Sequence, residues 1–78
     1  MSLKYVRFPD LFIAIVSPTV NHAVVASQFG DAHGKPVSAG FVKIVNGKII
    51  CHGRSDTLDL GQLVDDEDLV AAFLCGGI

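Results

Sequence analysis

The sequence predicts an α+β domain: a small antiparallel sheet of four to five strands in ββαββα order, with two helices on one face. Three observations carry that expectation. Asn46-Gly47 lies between two runs of alternating and β-branched residues, the strongest short-range signal for a β-hairpin. Ser17-Pro18 followed by Gly30 frames one helix, and the acidic run Asp65-Asp66-Glu67-Asp68 opens a second. Two strand pairs, each followed by a helix, place the chain in the α+β class.

Residues 5–8 and 11–16 read as two short strands around Pro9-Asp10, where proline pre-sets φ and the aspartate bonds to nearby backbone. A two-residue connection puts Val6, Phe8, Leu11, Ile13 and Ile15 on one face and Tyr5, Arg7, Phe12, Ala14 and Val16 on the other. The first helix is expected over residues 18–29, with Ser17 as N-cap, Pro18 as first helical residue and Gly30 just past the end. His22, Val25, Ala26 and Phe29 fall on one apolar stripe, although Val20, Val24 and Val25 are β-branched and lower the helix propensity. Residues 31–36 are a polar loop.

A strand beginning at Val37 runs to the Asn46-Gly47 turn and returns to His52. Positive φ at both turn residues, in a type I′ turn, sets the register: Val45 faces Lys48, Ile44 faces Ile49, Lys43 faces Ile50, Val42 faces Cys51 and Phe41 faces His52. Residues 57–60 form a short edge strand or an extended loop. In the second helix Asp65 is the N-cap, Val64 and Leu69 take the positions of a hydrophobic staple, and Leu69, Val70, Phe73 and Leu74 form the buried stripe. Gly76-Gly77 ends it. The core face is then Val6, Phe8, Leu11, Ile13, Ile15, Val42, Ile44 and Ile49.

The 78 residues form one domain, and half of them are hydrophobic while only 18% are charged. That is an apolar balance for a chain whose small size limits how much surface it can bury, and it points to a partner subunit. The net charge of −2 and six scattered Lys and Arg residues leave no basic footprint for nucleic acid. The longest apolar run, residues 11–16, is far shorter than the ~20 residues that span a bilayer, so no membrane segment is expected. Two cysteines without framework spacing and no visible secretory signal indicate a reduced, cytoplasmic protein.

Several constellations of residues bear on chemistry. Gly30-Asp31-Ala32-His33-Gly34-Lys35 departs from a phosphate loop in its glycine spacing and in the Pro36 that follows the lysine. His22, His33, His52, Cys51 and Cys75 lack the spacing of a zinc site, and no metal or other cofactor is expected. Cys51 and His52, adjacent in a strand, point to opposite faces, and Cys51 is expected in the core against Val42. Cys51 or Ser55 with His52 and Asp56 lacks an orienting third group, so catalysis is not expected. The four carboxylates at residues 65–68 have the spacing of helix capping rather than of a calcium loop. In the segment 52–57, Gly53 frees the backbone, Arg54 offers a planar fork of donors, and the hydroxyls of Ser55 and Thr57 can bind an anion or cap a turn.

Gly34-Lys35-Pro36-Val37-Ser38-Ala39-Gly40-Phe41-Val42, followed by Cys51-x-Gly53-x-Ser55 and Thr57-Leu58-x-Leu60, resembles small uncharacterised proteins of bacteria, phages and mobile elements. The resemblance covers residues 34–60. It implies an independently encoded α+β domain and carries no activity.

The functional expectation is a non-enzymatic cytoplasmic binding or interaction module that works as a homodimer. Its interface would be the sheet face opposite both helices, formed by Tyr5, Phe12, Ala14, Val16, Phe41, Val45 and Ile50. The alternative is a small-ligand or anion-binding protein, or a minor enzyme, with a site around residues 52–57, His52, Arg54, Ser55 and Thr57, at a subunit interface.

Overall fold

A computed structural model describes residues 2–76. Its elements are β1 (Ser2–Arg7), β2 (Ile13–Val16), α1 (His22–His33), β3 (Ser38–Val45), β4 (Lys48–His52) and α2 (Asp66–Gly76). The four strands form one antiparallel sheet in the order β2-β1-β3-β4, so β1 and β3 are central and both hairpins contribute an edge. The α+β class and the ββαββα order follow the expectation.

The β3–β4 hairpin has the expected register at all five pairs, from Phe41 opposite His52 to Val45 opposite Lys48. Asn46 and Gly47 take φ of 51° and 79°, the two positive values a type I′ turn requires. The first hairpin differs by one residue. Phe8 N–H bonds to Phe12 O and Leu11 N–H to Phe8 O, so three residues rather than two form the connection, with Leu11 at φ 70°. Asp10 Oδ1 accepts the Phe12 amide at 3.2 Å and holds this loop. Tyr5 now pairs with Ile15, and Val6 with Ala14.

Because strand side chains alternate, a one-residue slip moves every β2 side chain to the other face relative to β1. Tyr5, Ile13, Val42 and Cys51 share one face with Val70 of α2, while Val6, Phe8, Ala14 and Ala39 share the other with Val25 of α1. The two helices therefore lie on opposite faces, not on one. Both faces of the sheet are apolar at its centre, and each needs its own helix.

α1 begins later and ends later than expected. Ser17 accepts the Thr19 amide in a local turn, while Asn21 is the N-cap and accepts from Ala23 N–H at 2.8 Å. Gly30 lies within the helix, and Gly34, at φ 90°, ends it with its N–H on Gly30 O at 2.8 Å. The expected stripe is on the inner side: His22 and Val25 are buried, Ala26 and Phe29 half-buried.

In α2 only Val70 of the expected stripe is fully buried. Leu69 is half-buried, while Phe73 and Leu74 are 54% and 36% exposed. Val64 is fully exposed, so no staple forms with Leu69. α2 runs through Gly76, and the expected stop at Gly77 lies outside the described residues. Residues 57–60 form a loop rather than a strand, tied by the single bridge between Ser55 and Leu60.

Candidate functional site

A lone arginine in an apolar strand needs a carboxylate if it is to be buried. Arg7, between Val6 and Phe8, finds two. Its guanidinium donates to Asp65 Oδ1 at 2.6 Å and Oδ2 at 3.2 Å, and to Asp66 Oδ1 at 3.0 Å. Asp66 is fully buried and accepts three more donors: Tyr5 hydroxyl at 2.5 Å, Ser38 hydroxyl at 3.0 Å and Leu63 N–H at 2.9 Å. The network binds β1, β3 and α2 into one unit.

The acidic run sits at the start of α2 as expected, and three of its four carboxylates make tertiary contacts as well. Asp65 holds Arg7, Asp66 is the buried hub, and Glu67 Oε2 accepts the Cys51 N–H at 2.9 Å. The Arg7 guanidinium holds the Asp65 carboxyl below the usual carboxylate range, and its bond to Asp65 raises Arg7 above its ordinary value. Burial, then the bond to Asp66, pushes the Tyr5 phenol well above its ordinary value. Tyr5 and Asp66 are fully buried in this network, whereas Asp65 is half-exposed at its rim.

The segment 52–60 closes on itself. Arg54 is paired with Asp59 and lies 3.6 Å from Asp56. Ser55 is buried; its hydroxyl accepts Leu58 N–H at 3.3 Å and lies 3.3 Å from the Thr57 hydroxyl. Thr57 donates to Asn21 Oδ1 at 3.4 Å across to the N-cap of α1. His52 stacks on Phe41, with ring centroids 5.7 Å apart, and its Nε2 is buried without a partner among the described residues. Phe41 also meets His22 edge-on, and His22 Nε2 donates to Gly40 O at 2.8 Å. Of the four sequence-predicted ligand residues, Ser55 and Thr57 touch each other, Arg54 is taken up by Asp56 and Asp59, and His52 lies against Phe41.

The predicted interface does not form one open face. Tyr5 is buried under α2; Ala14 is buried, and Phe12 and Val16 are half-buried, on the α1 side. Phe41 and Ile50 are half-buried, leaving Val45 as the exposed member at 42%. The cause is the one-residue slip, which placed a helix over the face that was expected to stay open. Exposed large apolar side chains are Ile44 and Val45 of the β3–β4 hairpin and Phe73 and Leu74 of α2, with Leu11, Val24, Val37, Leu63 and Val64 spread over the loops and α1.

Cys51 is buried and unpaired, against Val42 as expected. Burial, with the Glu67 and Asp66 carboxylates nearby, pushes its thiol up from the ordinary 9.0 to about 11. At pH 8 its native thiolate fraction should be about 100-fold below that of the unfolded chain, so iodoacetamide should label Cys51 correspondingly slowly, as peptide mapping would read. Labelling at the unfolded rate would contradict the burial. A thiol raised on folding stabilises below its unfolded value of 9.0, and that contribution is lost as pH rises toward about 11.

Among the described residues no three His, Cys, Asp or Glu side chains are grouped to hold a metal, and no helix is long and apolar enough to cross a membrane. A shallow groove on the outer side of α1, lined by Ala23, Val24, Ser27 and Gln28, contains no titratable group. No family model, curated protein or solved structure matches the chain.

Proposed function

We propose that this chain is a non-enzymatic cytoplasmic interaction module that works as a homo-oligomer, with the β3–β4 hairpin as its contact surface. The observation that carries the reading is the apolar surface left on both sides of that hairpin, Ile44 and Val45, together with Phe73 and Leu74 on α2. Exposed large apolar side chains on a sheet edge of so small a domain support an association surface.

The polar groups support the same reading. The buried network joins strands to helix, with Arg7 Nε left unpaired among the described residues, and the Cys51 thiol is buried with its pKa pushed up to about 11. The rival site at His52, Arg54, Ser55 and Thr57 has its cation engaged by Asp56 and Asp59.

Sedimentation of the full chain from low to high micromolar concentration tests the proposal. Association is expected in that range, and Ile44→Asp is expected to weaken it while leaving the melting temperature close to that of the parent. A stable, well-folded monomer at the highest concentration would overturn it.

A further inference from the structure

The edge of β4 carries more specific information, and the inference drawn from it rests on the homo-oligomer reading above. In a two-residue hairpin, Val45 and Lys48 are the first hydrogen-bonded pair, so alternate residues of β4 face inward. The backbone groups of Lys48, Ile50 and His52 turn to β3, and those of Ile49 and Cys51 turn to the outer edge. Glu67 on α2 already accepts the Cys51 N–H. Ile49 is left, among the described residues of β4, with both an outward N–H and an outward C=O unpaired.

The charges along this edge run in one direction. Lys48 stands at the hairpin end, and the exposed Glu67 and Asp68 in the first turn of α2 stand at the other, where Glu67 holds the Cys51 N–H. A surface with a basic and an acidic end is complementary to a second copy of itself turned end for end, which is what a two-fold axis produces.

We propose that two copies of the chain pair β4 against β4, antiparallel, about a two-fold axis at Ile49, making one continuous eight-stranded sheet. Each Ile49 gives one backbone hydrogen bond to its counterpart and receives one. Lys48 of each copy then lies near the acidic end of the other and opposite an Ile50, not opposite a lysine. On the α2 face the cross-strand pair of Ile44 and Ile49 meets the same pair of the second copy, giving a row of four isoleucines across the junction. A shift that set Ile49 opposite Cys51 would require the Cys51 N–H that Glu67 holds, so Glu67 selects the register.

The test is a cysteine at the axis, in the full chain with Cys75→Ser. Residues in a hydrogen-bonded antiparallel pair have Cα atoms about 5.5 Å apart, inside the disulfide range of about 4.4–6.8 Å. Ile49→Cys is expected to oxidise to a covalent dimer on a non-reducing gel. Val45→Cys, on the same hairpin but far from its own counterpart in this register, is expected to stay monomeric there. Lys48→Glu is expected to weaken association roughly tenfold, since like charges replace an opposite pair twice in each dimer.

If the parent chain sediments as a dimer but Ile49→Cys fails to cross-link, or Val45→Cys links as well, the β4 register is wrong and the homo-oligomer reading stands. If the parent is monomeric at high micromolar concentration, both fall, and Lys48 and Glu67 act instead to keep a lone edge unpaired.

Discussion

Replacing Asp66 by alanine is expected to remove a large part of the stability of the domain. Asp66 is fully buried and takes four donors on two oxygens, from Tyr5, Ser38, Leu63 and Arg7. Removing it leaves the Arg7 guanidinium with only the half-exposed Asp65 and strands three buried donors. Breaking a buried ion pair from one side costs about 3–5 kcal/mol. A chain of this length has on the order of 4–12 kcal/mol in all, at about 0.05–0.15 kcal/mol per residue. Ser38→Ala, which removes one donor and leaves the carboxylate its others, should cost only about 1 kcal/mol. Urea denaturation followed by circular dichroism measures both; equal midpoints for Asp66→Ala and the parent would show that the network contributes nothing.

Phe8→Ala is expected to cost about 3–5 kcal/mol, the range for truncating a buried aromatic ring. Phe8 is fully buried at the corner where β1 leaves the sheet, with ring centroids of Phe12, Phe29 and His33 at 5.8, 6.3 and 5.9 Å. The same corner holds a second contact that should loosen with it. His33 stacks on Phe12 at 3.9 Å and donates to Asp10 Oδ2 at 2.7 Å, which holds the Asp10 carboxyl below its ordinary value. A carboxyl lowered on folding stabilises above its unfolded pKa, and that contribution is lost as pH falls through the folded one. In Phe8→Ala this acid-side loss should shrink, because the ring cluster that positions His33 is gone. A urea midpoint unchanged from the parent would show that the corner collapses to fill the space.

The second hairpin was legible in the sequence because Asn46-Gly47 accepts positive φ at both positions at little cost, and its flanking runs permit one register. The first was misread by one residue because Leu11 takes φ 70°, a conformation that a branched side chain gives no warning of. That single residue decided which face each half of the core occupies, where the helices lie and which surface stays open. The start of α1 was misplaced for a local reason, since Ser17 and Asn21 are both good caps and only the chain geometry chooses between them.

The acidic run was legible as a helix start and illegible as a hub. Its partners Tyr5 and Arg7 are 58 to 61 residues away in sequence, and capping is a sufficient local account of the same residues. A signal was present in Arg7 itself, an arginine between Val6 and Phe8 that a buried strand can keep only beside a carboxylate. For residues 52–57 the turn chemistry of Gly53, Ser55 and Thr57 was readable, whereas the capture of Arg54 by Asp59 depends on Asp59 taking φ 55°.

The bond between Arg7 and Asp66 joins residues 59 apart, and it bears on the order in which the chain is made. At synthesis rates of about 5–20 residues per second, Arg7 waits roughly 3–12 s before Asp66 exists. For that interval β1 has its hairpin partner β2 but neither the helix that covers one of its faces nor the carboxylate its arginine requires. The nascent chain therefore holds an apolar strand with an uncompensated cation, a combination that resists premature burial and delays collapse until the last helix is made. An unpaired charge inside an apolar strand opposes its burial, so Arg7 is expected to disfavour aggregation of β1 until Asp66 is made.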